Sequence, residues 1–320
     1  MNCIRWGSAA RVSVDGLSAE EVRGVAGRWC GHVESDRGAD HSLRVPPLHE
    51  VVQSSSPRRV RIGVRGGAGD RPLALTVGPH TVELGSGDEP NVVRHSERRS
   101  PSAIEHELLI DIGINHLLAR QGLPVIHGCA FELGGASILG LGESFSGKTT
   151  VSVAALRVGG RVASDDVVLA VPDGNGLFSL FPVRSYGWLR GRTREIVPYE
   201  LQHKMLENEE DGSPRWVLNR DDCGESFVDE VVPGIVWVQS VDRRLKVSRV
   251  EPVDQGQMFA ALIRASSPLY LSRHCPEIRD KLIPVFRSLC AQCRGFRVRL
   301  GRRLLEDPEG EMERLVDLSR

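Results

Sequence analysis

The stretch LGLGESFSGKTTVSVAALRVGGRVASDD, from Leu139 to Asp166, decides how the whole chain is read. Its segment Gly142-Glu143-Ser144-Phe145-Ser146-Gly147-Lys148-Thr149 satisfies the phosphate-loop pattern Gly-x-x-x-x-Gly-Lys-Ser/Thr in full, and Thr150 follows it. In such a loop, successive backbone N–H groups form a nest for a phosphate, and the N-terminus of the following helix adds partial positive charge. Glycines allow close backbone approach, the lysine reaches the terminal phosphate oxygens, and the hydroxyl of Thr149 would hold Mg²⁺. Drawn at random from this composition, the pattern would turn up in a chain of this length with a probability of about 0.5%. The local context is also right: an apolar strand pattern leads into the loop, and an apolar helix pattern, KTTVSVAALRVGG, leads out.

Two carboxylates, Asp165 and Asp166, close the stretch. On a regular strand, adjacent side chains point to opposite faces, unless a bend at the strand end turns both outward. A nucleotide site needs a carboxylate near Mg²⁺, and a hydroxyl acceptor benefits from one that takes its proton. Upstream, PVIHGCAFEL and GASILGLG read as two strands joined by a turn at Gly134-Gly135. His127 lies at the start of the first of them, the strand paired with the one that feeds the loop.

Outward from this core the signals weaken. SAIEHELLIDIGINHLLARQG reads as a helix with Ile104, Leu108, Ile112 and Leu117 near one face and Gly122 closing it. Residues 1–103 read as a β-rich α+β region: a helix over SAEEVRGVAGRWC capped by Ser18, and half-exposed strands in RRVRIGVRG, PLALTVG and HTVELG. Residues 104–320 read as the catalytic domain. Within it, PGIVWVQSV is a near-continuous apolar strand, hence buried. DQGQMFAALIRAS, PEIRDKLIPVFRSLCAQC and EDPEGEMERLVDLS are helices, with the strand GFRVRL between the last two. RVASDDVVLAV reads as one strand carrying three polar residues.

Composition limits the function classes. The chain has 320 residues and a formal net charge of −1, which argues against binding driven by charge to nucleic acid or to an acidic membrane. The start, MNCIRWGSAARVSVDG, has no apolar core of a signal peptide, and no run reaches the length of a membrane span. Seven cysteines, an odd and scattered set, suit a reducing compartment, so the expected location is cytoplasmic. Cys290 and Cys293 form the one close pair, with His274 and Cys275 upstream. With no second such pair they read as helix thiols rather than metal ligands. Arg184, Arg190, Arg192, Arg194 and Arg215 read as exposed loop arginines in an arginine-rich chain.

Taken together, IHGCAFELGGASILGLGESFSGKTT followed by GGRVASDD resembles the core of the HPr kinase/phosphorylase family, which includes serine kinases that tailor peptides in bacterial biosynthetic clusters. The resemblance covers residues 104–172 well, continues weakly to about residue 300, and leaves the first hundred residues uncovered. It implies an α/β fold, a P-loop kinase core of the HPr-kinase and PEP-carboxykinase type with a small N-terminal β-rich region. It implies ATP and Mg²⁺, with Lys148 and Thr149 holding phosphates and metal. It also implies that one aspartate, by spacing Asp166, takes the hydroxyl proton, while Asp165 supports the metal and His127 tunes the base. The acceptor would be a serine in a peptide or small protein, and self-association follows by analogy with relatives that work as rings or dimers.

The chain departs from the family at two points. Phe145 stands where the family loop has an inner glycine, which requires either a negative φ or backbone strain. The Glu-x-Arg-Gly signature is missing, its nearest counterpart being FPVRSYGW around Arg184, which argues against HPr as acceptor and against a phosphorylase reaction. Other readings are a small-molecule hydroxyl kinase, an HPr-type sensor kinase, and a nucleotide-binding module without turnover.

Overall fold

Short alternating apolar strands in the N-terminal third assemble into one sheet. The computed structural model describes residues 2–6, 10–15, 17, 19–28, 32–35, 42–44, 62–65, 73–77, 79–84, 91–94, 103–173, 175–183, 186–189, 191–210, 213–266 and 276–320. The strands are β1 (Asn2–Trp6), β2 (Ala10–Asp15), β3 (His32–Ser35), β4 (Ser42–Arg44), β5 (Ile62–Arg65), β6 (Leu73–Val77), β7 (His80–Leu84) and β8 (Asn91–Arg94). They lie in the spatial order β3, β1, β2, β4, β8, β7, β6, β5. Helices α1 (Ala19–Arg28) and α2 (Ala103–Arg120) complete this unit. The Ser18 cap, the SSSPRR and GSGDEPN loops and Arg58 fall outside the described residues.

Helix α2 packs on β2, β4, β6, β7 and β8. Its buried face is Leu109, Ile110, Ile114, Leu117 and Leu118, whereas Leu108 and Ile112 are only half-buried. The stripe expected from the sequence is therefore rotated by about one residue, or 100°. Gly113 and His116 hide it, since neither is apolar. Yet a Cβ on Gly113 would stand 2.5 Å from Leu43 Cδ1, so a larger residue there would have to push the Leu43 side chain aside. Asn91 satisfies the polar groups: its Nδ2 donates to the Gly113 carbonyl at 2.9 Å, and its Oδ1 lies 3.1 Å from His116 Nδ1. Consequently α2 groups with the N-terminal compact unit, Met1–Gly27, Gly31–Leu123 and Tyr270–Lys281.

The second unit comprises Arg28–Cys30, Pro124–Leu269 and Leu282–Arg320. Its strands are β9 (Val125–Ile126), β10 (Gly128–Leu133), β11 (Ala136–Leu141), β12 (Arg161–Ser164), β13 (Val168–Pro172), β14 (Phe178–Pro182), β15 (Tyr186–Leu189), β16 (Leu206–Glu210), β17 (Ser213–Asn219), β18 (Ile235–Val241), β19 (Arg249–Val253) and β20 (Arg294–Leu300). Its helices are α3 (Lys148–Arg157), α4 (Tyr199–Gln202), α5 (Gln255–Ala265), α6 (Pro276–Gln292, shared with the first unit), α7 (Arg303–Glu306) and α8 (Pro308–Leu318).

A six-stranded mixed sheet, ordered β12, β10, β11, β18, β20, β19, forms its centre, so the fold is α/β as expected. The hairpin of β10 and β11 turns on Gly134 (φ 56°) and Gly135 (φ 79°), both left-handed, as the tight primed turn requires. Strand β11 runs parallel to β18, and β18 to β20. Val151, Ala154 and Ala155 of α3, with Leu315 and Val316 of α8, share one core with Phe131, Ile138 and Trp237. The Trp237 indole meets Phe131 edge-on at 5.6 Å and donates its N–H to Ser319 Oγ at 3.0 Å. Helix α5 packs on β11 and β18 through residues outside that core, Met258, Ala261 and Leu262. Among the described residues no helix is long and apolar enough to cross a membrane.

Two expected strands are in fact broken. PVIHGCAFEL splits at His127 into β9 and β10, and RVASDDVVLAV splits at Asp165–Val167 into β12 and β13. The halves sort into different sheets: β10 pairs with β12 in the six-stranded sheet, while β9 pairs with β13 in a three-stranded one. Both breaks therefore lie at the same seam, which brings His127 to the aspartates.

Candidate active site

The loop between β11 and α3 has the shape that its glycines permit. A Cβ on Gly142 would stand 2.3 Å from Ser146 Oγ and 2.7 Å from the Gln239 carbonyl oxygen, so the loop closes on itself only over a bare α-carbon. Gly147 caps α3 at φ 93°, and a Cβ there would also meet Leu300 Cδ1 at 2.6 Å. The loop is tightened by the Ser146 N–H donating to the Glu143 carbonyl at 3.1 Å. Phe145 takes the strained alternative: φ is 67°, the only positive value at a non-glycine among the described residues, and the ring is 84% exposed.

Lys148, the first residue of α3, is 6% exposed. Its ammonium donates to the carbonyls of Gly142 and Glu143 at 2.9 and 3.1 Å, so it lies across the base of the loop. Burial pulls its pKa down, while the nearby carboxylates of Asp166 and Asp165 push it back up. Cys129 itself is fully buried below the loop, and desolvation drives its thiol to about 12, which keeps it a neutral packing group.

The two aspartates do different things. Strand β12 ends at Ser164, whose hydroxyl accepts the N–H groups of Asp166 (3.3 Å) and Val167 (3.2 Å) and donates to the Val167 carbonyl. This serine turn bends the chain, so that both carboxylates reach the loop from one strand end. Thr149 Oγ1 donates to Asp165 Oδ2 at 3.1 Å. His127 Nε2 lies 2.7 Å from Asp166 Oδ1, and because an ionised carboxylate only accepts, Nε2 carries the shared proton. The backbone of His127 is pinned by its N–H donating to the Ala265 carbonyl at 2.8 Å. Both members of the His127–Asp166 pair keep about a third of their side-chain surface, 34% and 31%, so they can be reached from solution.

Thr149 and Asp165 supply a hydroxyl and a carboxylate side by side, two hard oxygen donors of the kind Mg²⁺ takes while keeping its other positions for phosphate oxygens and water. Thr150 faces away from this pair, its hydroxyl 3.0 Å from that of Thr193. Beside the loop a cleft of about 730 Å³ is lined by His127, Gly142 to Ser146, the end of β18 and the last turn of α5.

Two cleft residues carry no motif in the sequence: Gln239 of β18 and Arg264 of α5. Gln239 had a faint signal, a polar residue in an apolar strand, and Arg264 had none. Two of the loop arginines, Arg192 and Arg194, line a second cleft together with Tyr199 and His203. Arg192 pairs with Glu195, and Arg194 stacks over Trp216 at 4.4 Å, while Arg184, Arg190, His274 and Cys275 fall outside the described residues. Cys290 and Cys293 are buried free thiols, and Cys293 donates to the Pro233 carbonyl.

No family model matches the chain, and no curated protein matches it. Among solved structures, the HPr(Ser) kinase/phosphatase from Coxiella burnetii is similar at a TM-score of 0.32 and 10% sequence identity, over 61% of this chain and 96% of that one.

Proposed function

We propose that this protein is a Mg²⁺- and ATP-dependent kinase that transfers the γ-phosphoryl group to a hydroxyl, that of serine in a peptide or small protein. The observation that carries this reading is the separation of the two aspartates at the mouth of one P-loop: Asp165 on the Thr149 hydroxyl, Asp166 on the His127 ring. A site that only binds nucleotide has use for the first pair and none for the second.

In this reading Lys148 and the loop N–H groups, with the N-terminus of α3 behind them, hold the terminal phosphates and offset charge that builds on the transferring group. Thr149 and Asp165 would hold Mg²⁺, which supplies further neutralisation of the phosphate oxygens. Asp166 accepts the acceptor's hydroxyl proton as the new O–P bond forms and the bond from the γ-phosphorus to the bridging oxygen breaks, releasing ADP. His127 fixes the carboxylate by Oδ1, and its own backbone is fixed by Ala265, so the base is oriented from two directions.

Incubation with ATP labelled at the γ-phosphate and an extract of the host, with products separated by size, tests the reading. Label should move into a peptide or small-protein fraction in the presence of Mg²⁺. Label found only in ATP and free phosphate would overturn the kinase assignment.

A further inference from the structure

Arg264 lines the P-loop cleft, is solvent-exposed, and makes no ion pair or hydrogen bond through its guanidinium among the described residues. The residue is also held in place. It stands on the last turn of α5, next to Ala265, whose carbonyl accepts the His127 backbone N–H, and Ile126 bridges to Ser266 just beyond. Arg264 is thus on the same side of the site as His127 and its partner Asp166. Thr149, Asp165 and Asp166 do not themselves line this cleft, and His127 is the member of the site that does.

Gln239 also borders the cleft, but its Oε1 lies against Gly140 and Cys129, on the face of the sheet that carries Trp237 and opposite α5. It is 4% exposed, and both of its amide atoms, Oε1 and Nε2, lack a hydrogen-bond partner among the described residues. The rest of the lining is largely apolar or backbone: Leu141, Phe145, Val238, Val241 and Ala261. Glu143 is the other charged residue there, its side chain turned out to solvent on the loop.

We infer that Arg264 recognises a carboxylate on the acceptor, so that the preferred substrate is a peptide whose serine has an acidic neighbour. This rests on the kinase reading for its order of events: the acceptor hydroxyl must come within hydrogen-bond reach of Asp166, and a chain that does so next to His127 passes Arg264. A guanidinium binds a carboxylate through two parallel N–H donors, which gives direction as well as charge. Arg264 is the one arginine or lysine among the residues that line the cleft, so it sets the preference.

The test uses the full chain and short end-blocked peptides with one serine and a single aspartate at successive flanking positions, each with an asparagine twin. At one position or more, kcat/KM for the aspartate peptide should exceed that of its twin by about tenfold, the scale of one hydrogen-bonded charge pair. Arg264→Ala should bring that ratio to near one through KM, leaving Mg–ATP affinity unchanged, and Arg264→Lys should restore part of it. Equal use of both twins by the parent at every position overturns the inference, as does a preference that survives Arg264→Ala. Weakened Mg–ATP binding in Arg264→Ala also overturns it, because the guanidinium then serves the nucleotide. If the parent transfers no phosphoryl group at all, the kinase reading fails separately. Fluorescence anisotropy of a labelled aspartate peptide then decides the role of Arg264: binding that needs the residue supports the inference, and no binding refutes it.

Discussion

Replacing Phe145 by glycine and, separately, by alanine should give a difference in stability that reports the backbone of the loop directly. At φ 67° the residue sits in the left-handed region. For an L-residue that conformation costs about 1–2 kcal/mol, from which glycine is exempt. Glycine also loosens the unfolded chain, which takes back about 0.4–1 kcal/mol relative to alanine. Both replacements delete the same ring, which is 84% exposed, so its contacts cancel in the comparison. Phe145→Gly should therefore be more stable than Phe145→Ala by about 0.5–1 kcal/mol, or about 1–4 °C in Tm for a unit of this size. Paired urea and thermal unfolding curves measure it. Equal midpoints, or alanine above glycine, would refute the strained loop. Mg–ATP affinity of Phe145→Gly should stay within a few-fold of the parent, because the ring points outward and the nest of N–H groups is unchanged.

Lys148→Ala should abolish turnover and greatly weaken Mg–ATP binding in calorimetry, and parent-like affinity would contradict the P-loop assignment. Asp166→Asn should keep ATP binding while transfer falls by roughly 10²–10⁴-fold, the usual share of a general base. Asp165→Asn should instead raise the Mg²⁺ requirement, and His127→Ala should give a milder loss with a shifted pH–rate profile. Parent-level transfer by both aspartate variants would leave a binding module. Burial raises the thiols of Cys129 and Cys293 to about 12 and that of Cys290 to about 11. All three should therefore resist iodoacetamide at pH 8 in the folded protein and react on unfolding. Groups raised in this way favour the fold fully below their unfolded value near 9, and the benefit is lost as pH climbs to the folded values. Stability should thus decline from about pH 9 to pH 12, and a rise over that interval would show that the thiols are not buried.

The parts of the molecule legible in the sequence are those governed by local chemistry. The strand, glycine turn, strand, loop and helix from Gly128 to Arg157 follow from alternation, from Gly134-Gly135 and from the loop pattern, and the structure has each in order. The breaks at His127 and Asp165–Val167 were not legible. Apolar residues continue on both sides of each, and only pairing with different partners separates the halves. The buried face of α2 was displaced because Gly113 and His116 owe their burial to Leu43 and Asn91, which are remote in the chain. Arg264 and Gln239 reach the cleft through the packing of α5 and the register of β18 beside β11, neither of which a single sequence carries.

The seam between the two sheets has a further consequence for how the site can fail. At this one place four strand ends meet, and the backbone there is held by single bonds to a serine hydroxyl and to the end of a helix rather than by a continuous ladder. Amide protons at His127, Asp166 and Val167 should therefore exchange through small local openings while those of β10 and β11 stay protected. Each such opening parts the histidine from the carboxylate. On the proposed kinase reading, Asp166 would then be intermittently unoriented long before the core around Trp237 loosens, and warming should silence phosphoryl transfer well ahead of the melt.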